Sequence, residues 1–333
     1  MTPLDTILDV NGLSVAFDMG SAVNRALTDF SLSVPRGSVV GVVGESGSGK
    51  SVAARAIMQL VSRPGRITGG TALLKARKLD GRAVDLLACR ADSAQMRRVR
   101  GSIVSLVFQE PMSALSMVHT IGEHMYRPVT LHLGLTGDAN RQHCIRILEN
   151  VRIPNAHERI DSYPFQLSGG LRQRAMIGIS LCCNPELLIA DEPTTALDVT
   201  TQAQILDLLR AIRRERDMSV IFITHDLGVV AEICDRVVVM YLGEVVEHGT
   251  AEQIFEDPRH PYTQALLRSV PRLGLGRSQK LQPIRGSIPD PLSRPRGCAF
   301  HTRCDRMVSG ICDAQPPPVR PVDGDRLTRC VHV

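Results

Sequence analysis

An α/β fold with a buried parallel sheet is what this sequence predicts, and three stretches carry the prediction. VVGVVGESGSGKS, Val39 to Ser51, is an apolar run, a glycine-rich turn and a Lys-Ser pair that opens a helical pattern. LLIADEP, Leu187 to Pro193, is an apolar strand that ends in two carboxylates. VIFITHDL, Val220 to Leu227, is another such strand, and a histidine follows it. Short apolar runs bounded by turn residues and alternating with helices are the pattern of a sheet covered on both faces. The 333 residues suffice for one large domain with additions or for two moderate ones.

The first stretch predicts a strand, a loop and a helix, with Val52, Ala56, Ile57, Leu60 and Val61 on one helical face. At the junction stand Gly44, Glu45, Ser46, Gly47, Ser48, Gly49, Lys50 and Ser51. Glycines in such a turn let consecutive backbone N–H groups cradle phosphate at a helix N-terminus. Lys50 is placed to reach the β- and γ-phosphates, and the Ser51 hydroxyl to bind Mg²⁺. In the second stretch Asp191 falls at the C-terminal end of its strand, where open α/β sheets hold ligands. It suits the Mg²⁺ shell, and Glu192 beside it can polarise an attacking water. Together these motifs describe a P-loop NTPase.

LSGGLRQR, Leu167 to Arg174, narrows this further. Two glycines after a serine at the start of a helix make a second phosphate-binding terminus. The two termini lie roughly 120 residues apart in one chain, and one nucleotide has one triphosphate. The economical arrangement is a dimer in which Ser168, Gly169 and Gly170 serve the nucleotide held by the other chain.

Over nearly its whole length the sequence resembles the ATPase subunit of an ATP-binding-cassette (ABC) transporter. The resemblance implies an ABC-type P-loop core with a helical lobe over about 110–175, and further site residues. Phe17, in LSVAF, matches the aromatic that stacks on adenine. Gln109, in LVFQEP, matches the glutamine that senses Mg²⁺ and the attacking water and couples to the membrane subunits. Ala196, Leu197 and Asp198, in TTALD, match the loop that communicates across the dimer, and His225 matches the histidine that contacts the γ-phosphate. The implied catalytic set is Glu192, His225 and Gln109, with Mg²⁺ held through Ser51, Gln109 and Asp191. One departure is Leu171, where the family usually has glutamine. The serine and backbone N–H groups meet the phosphate, so the site is expected to survive.

Through the rest of the chain the elements follow in order. ANRQHCIRILENV has helical periodicity and belongs to the lobe. VVVMYLGEVVEHG reads as a strand pair turning at Gly243. AEQIFEDPRHPYTQALLRSVPRL, with ADEPTTALDVT, resembles the ATPases of oligopeptide and dipeptide importers. From Gly274 the chain is rich in Gly, Pro and Ser and reads as an extended wrapping segment. The expected division is an ATPase domain over 1–256 and an extension over 257–333.

Composition sets the compartment and excludes other classes. Hydrophobic residues make up 43% and charged residues 22%, ordinary values for a folded protein. No apolar run reaches the ~18 residues a membrane span needs, and the N-terminus lacks a signal-peptide pattern. The expectation is a chain that works peripherally, at the cytoplasmic face of the inner membrane. The net charge of +5 is small and dispersed, so no nucleic-acid partner is expected. A soluble ABC ATPase acting on nucleic acid is expected to carry a long coiled-coil or zinc insertion, which is absent from the sequence. Glu192 and His225 argue against a non-hydrolysing partner subunit. The resemblance implies a motor for peptide import, with a second ATPase (a paralogue or itself), two permeases and an extracytoplasmic binding protein. A nickel or other small-solute importer is the alternative.

Of nine cysteines, Cys89, Cys144, Cys182, Cys183 and Cys234 lie in apolar or helical context and read as small core residues. Cys298, Cys304, Cys312 and Cys330 form a tail cluster, C-x5-C-x7-C-x17-C. Structural zinc sites favour close C-x2-4-C pairs, which this spacing lacks. The resemblance, to importers whose tail cysteines bind such a centre, implies a [4Fe–4S] cluster, with zinc as the alternative.

Overall fold

The computed structural model describes residues 5–195, 197–269 and 283–333. Twelve strands are present among them: β1 (Thr6–Asp18), β2 (Val23–Pro35), β3 (Val39–Val43), β4 (Gly65–Lys75), β5 (Ala83–Asp85), β6 (Val104–Val107), β7 (Leu187–Asp191), β8 (Ser219–Thr224), β9 (Arg236–Tyr241), β10 (Glu244–Thr250), β11 (Arg320–Pro321) and β12 (Leu327–Thr328). They build two sheets. One is antiparallel with order β2-β1-β4-β5; the other has order β11-β12-β10-β9-β3-β8-β7-β6. In the second sheet β9, β3, β8, β7 and β6 run parallel, and β10, β12 and β11 continue antiparallel at one edge.

Every residue of β3, β7 and β8 is buried, as a sheet covered on both faces requires. Their side chains divide with the two-residue period of a strand. Val40, Val42, Leu187, Ile189, Ile221 and Ile223 join the core beneath the antiparallel sheet. Val39, Val43, Leu188, Ala190, Val220 and Phe222 join the core shared with the helical lobe. The result is three layers, with the C-terminal ends of the parallel strands opening between them.

The lobe is made by the helices Pro111–Ala114, Ile121–Leu133, Gly137–Asn150, Ala156–Arg159 and Gly169–Leu181. Thr120 and Glu123 form a reciprocal capping box at the start of the second, and Gly134 ends it at φ 70°. Cys144, Cys182, Cys183 and Cys234 are buried in this core, and Cys89 is half-buried.

The helix after the glycine-rich loop is shorter than its apolar spacing predicts. It runs Lys50–Ile57, with Ala53, Ala54, Ala56 and Ile57 buried. Gln59 turns to φ 53°, so Leu60 and Val61 lie beyond the helix, though they and Val52 still pack against the core. The end is local: with Gln59 in the left-handed region, its N–H reaches the Ala56 carbonyl and the Leu60 N–H that of Arg55, and the Arg100 guanidinium braces the turn through the carbonyls of Met58 and Gln59.

The strand pair predicted around Gly243 is β9–β10, with Leu242 and Gly243 both at positive φ in the turn. The wrapping segment expected from Gly274 lies outside the described residues as far as 282. Residues 283–333 hold no α-helix; they run as loops, short 3₁₀ turns and the edge strands β11 and β12. This tail is anchored on the main sheet. Glu247 and His248 of β10 pair with Thr328 and Leu327, and the fully buried Arg326 guanidinium meets the Glu247 carboxylate at 2.9 Å. No helix among the described residues is long and apolar enough to cross a membrane.

Candidate functional site

The loop after β3 can be built only from glycine at its key positions. A Cβ on Gly44 would stand 2.2 Å from the Met240 carbonyl oxygen, and one on Gly49 (φ 97°) 2.7 Å from that of Ala26. Gly49 caps the helix Lys50–Ile57, whose first N–H groups are left pointing outward. The Lys50 ammonium is buried and donates to the carbonyls of Gly44 (2.8 Å) and Glu45 (3.0 Å). Burial lowers its pKa, against the pull of Glu192, Asp191 and Glu45. The Ser51 hydroxyl donates to Asp191 Oδ1 at 2.9 Å.

Sheet order brings the remaining groups to the same edge. The neighbours β3-β8-β7-β6 end, respectively, at the loop, at His225, at Asp191–Glu192 and at Gln109. Glu192 is held at φ 47°, with its N–H on the Ile223 carbonyl. A non-glycine residue in the left-handed region is uncommon and concentrates at working sites. Its Oε2 accepts from Thr195 Oγ1 (2.8 Å) and Gln109 Nε2 (3.2 Å) and faces His225 Nδ1 at 3.3 Å. Burial raises the Asp191 carboxyl; the Ser51 hydrogen bond opposes the rise and the Glu192 charge adds to it. The oxygen pair of Ser51 and Asp191 is a hard-ligand set of the kind Mg²⁺ takes.

A cleft of about 580 Å³ lies over this edge, lined by the loop together with Phe17, Gln109 and Glu192. Phe17 forms part of its wall. Gly65 lets it sit close, since a Cβ there would lie 2.5 Å from the Phe17 ring. Arg25, Pro291 and Arg294 also line the cleft. Sequence reasoning missed these, and missed Thr195. The Thr195 position follows Glu192 in the EPTT run, but Arg294 sits in a proline-rich stretch with no motif to mark it. Arg294 is brought in by Glu244 (2.7 Å) and Thr28 (3.3 Å).

Ser168, Gly169, Gly170 and Asp198 do not line the cleft of their own chain. Ser168 caps the helix Gly169–Leu181, accepting from the Leu171 N–H, and a Cβ on Gly169 would meet nothing within 4 Å. Asp198 caps Val199–Arg216, accepting from the Thr201 N–H and hydroxyl. Ser168, Gly169 and Asp198 are exposed. Leu171 packs partly against the lobe core, which gives an apolar residue a purpose at that position. Ala196 lies outside the described residues.

The four tail cysteines line one small cavity together with His260, Phe300 and His301. Burial pushes the Cys298 thiol up to about 11 and raises Cys304 and Cys330 as well. No group of three or more His, Cys, Asp or Glu among the described residues is placed to hold a single metal ion. The cavity measures about 20 Å³, room for about one water.

Comparison with known proteins assigns the family. The ABC transporter family matches residues 27–195, and the oligopeptide/dipeptide transporter C-terminal region matches residues 246–312. A Brucella melitensis protein named as a peptide import ATP-binding protein is 46% identical, over 98% of this chain and 97% of its own. The dipeptide transport ATP-binding protein of Escherichia coli is 43% identical, over 97% of this chain and 96% of its own. Among solved structures, a dimeric ATP-binding cassette in a post-hydrolysis state with ADP and Pi aligns with a TM-score of 0.64 at 26% identity. It covers 73% of this chain and 98% of that one. The chain therefore belongs to the ABC transporter family, as an ATP-binding subunit of its peptide-import branch.

Proposed function

We propose that this chain hydrolyses ATP to power the import of peptides through a membrane transporter. The observation that carries the mechanism is the convergence of Lys50, Ser51, Gln109, Asp191, Glu192 and His225 on one sheet edge under one cleft. Gly44 to Ser51 cradle the triphosphate, and Lys50 leaves its carbonyl partners for the β- and γ-phosphates. Phe17 lies against the base. Ser51, Asp191 and Gln109 would hold Mg²⁺, which when bound would offset the phosphate charge. Glu192 orients and polarises the attacking water, and Gln109 and His225 fix the Glu192 carboxylate, with His225 reaching the γ-phosphate.

Ser168, Gly169 and Asp198, which are exposed, and Gly170 beside them serve the nucleotide on a second ATPase, a paralogue or a copy of this chain. ATP binding closes that pair, and closure is passed to two permeases at the cytoplasmic face of the inner membrane. An extracytoplasmic binding protein delivers the solute. The domain division at about residue 256 is kept as part of this reading, with the extension docked on the ATPase sheet. The test is phosphate release and dipeptide uptake in vesicles holding this subunit with its permeases and partner ATPase. Uptake that persists without ATP refutes the proposal.

For Cys298, Cys304, Cys312 and Cys330 we propose a [4Fe–4S] centre, which would have to open the cavity beyond its about 20 Å³. Support comes from four thiols, spread over 33 residues of chain, lining one cavity. Soft sulfur donors of this kind suit iron–sulfur clusters or zinc. Such a centre would staple a tail that has little core of its own.

A further inference from the structure

The cysteine cavity and the phosphate loop share one joint, Glu45. Its N–H meets the Tyr262 hydroxyl at 2.9 Å, and its carboxylate accepts two hydrogen bonds from the Arg303 guanidinium, at 2.7 and 3.1 Å. Its carbonyl accepts from the Lys50 ammonium. With the Ser48 N–H, which donates to the same carbonyl, four partners fix this one residue, and two of them come from the C-terminal part of the chain. Arg303 is only 4% exposed, its Nε donates to the Arg285 carbonyl, and its guanidinium lies over the Tyr241 and Phe300 rings.

On its other side Arg303 is tied through the chain to the cavity wall, which Phe300, His301 and Cys304 line. It ends the 3₁₀ turn His301–Arg303, which begins where the His301 N–H donates to the Cys298 carbonyl, and Cys304 follows it directly. Phe300, at the head of the turn, packs on Tyr241 and Tyr262 at 5.3 Å and on His260 at 6.1 Å. A buried guanidinium cannot leave its carboxylate without leaving charge unpaired. A movement of the turn between Cys298 and Cys304 is therefore carried to Glu45, and through its backbone to Lys50.

We propose that Arg303 is a positioning residue for ATP binding, coupling the state of the cysteine cavity to the phosphate loop through Glu45. With the thiols held together the turn keeps Glu45 in place and the loop ready for phosphate; with them released the loop loses that restraint. The proposal rests on the ATP-binding reading of the loop and not on which group the thiols hold. Coupling between sites is reciprocal, so nucleotide in the loop must also alter the cavity.

The experiment uses full-length protein purified without oxygen. A non-hydrolysable ATP analogue is titrated into wild type, Arg303→Lys and Arg303→Met. Methionine should weaken binding by about 5-fold or more, the lower range of allosteric couplings. Lysine, which keeps the charge but not the two-pronged geometry, should fall between. In wild type alone, alkylation of the four tail cysteines, read by peptide mass, should change by a similar factor when the analogue saturates the site. A folded methionine variant with wild-type affinity overturns the proposal. So does an alkylation rate in wild type that the bound analogue leaves unchanged, and that arm decides the matter if Arg303→Met does not fold. Failure of the wild type to bind the analogue at all refutes the ATP reading instead.

Discussion

Replacing Glu192 by glutamine separates the chemistry of the site from its architecture. Glu192 is 8% exposed, its backbone is fixed by the Ile223 carbonyl, and Thr195, Gln109 and His225 all approach its Oε2. An amide oxygen can accept those same contacts, so Glu192→Gln keeps its place in the site. What disappears is the basic lone pair that draws a proton from the attacking water. Loss of a positioned base costs about 10²- to 10⁴-fold in rate. At ~1.36 kcal/mol per decade, this adds about 3 to 5 kcal/mol to the barrier. ATP affinity should hold or tighten, since one negative charge beside the phosphates is gone. Equilibrium ATP binding and single-turnover phosphate release, with the partner ATPase present, measure the two effects apart. Wild-type turnover in the glutamine variant would refute the role, and loss of binding in parallel with turnover would refute the claim that the site is otherwise intact.

Lys50→Ala, by contrast, should weaken ATP binding itself by about 10-fold or more, because charge-assisted phosphate contacts are among the strong ones; titration against wild type checks it. Asp191→Asn should abolish Mg²⁺-dependent turnover yet raise the melting temperature of nucleotide-free protein at neutral pH. Burial raises the Asp191 pKa in the folded state, so ionisation penalises folding. That penalty is fully present above the raised value and vanishes below about 3.9, the unfolded value, so the gain should shrink on acidification. Turnover per molecule should rise with protein concentration or with added partner, because Ser168 and Asp198 stand outside their own cleft; a strictly monomeric sample at full rate contradicts this. Protein purified without oxygen should be brown, absorbing near ~400 nm with about four irons per chain, and any one serine substitution among the tail cysteines should bleach it. Colourless protein with stoichiometric zinc would replace the cluster and keep the staple.

The sequence by itself determined those parts of the site that are local in the chain. Glycine is needed where backbones approach, as at Gly44 and Gly49, and a covered strand must be apolar throughout, as in β3, β7 and β8. The loop, the carboxylates of Asp191 and Glu192, and His225 are therefore legible from short windows. So is the helix start at Ser168, where the cap and its N–H lie three residues apart. Other features were settled by contacts across great sequence distances. The turn after Ile57 is braced by Arg100, whose guanidinium meets the carbonyls of Met58 and Gln59 from 42 and 41 residues away, which no apolar spacing near Leu60 could reveal. Arg294 enters the cleft through Glu244 and Thr28, and Arg303 reaches Glu45 over 258 residues. The tail cysteines were conspicuous in the sequence, but contacts of the packed chain bring them against the ATPase sheet, among them the pairing of β12 with β10, the Arg326–Glu247 ion pair and Phe300 on Tyr241. The physical reason is the range of each interaction. Backbone conformation and strand burial are dictated by neighbouring residues, whereas a buried ion pair or a shared cavity exists only once the whole chain has packed.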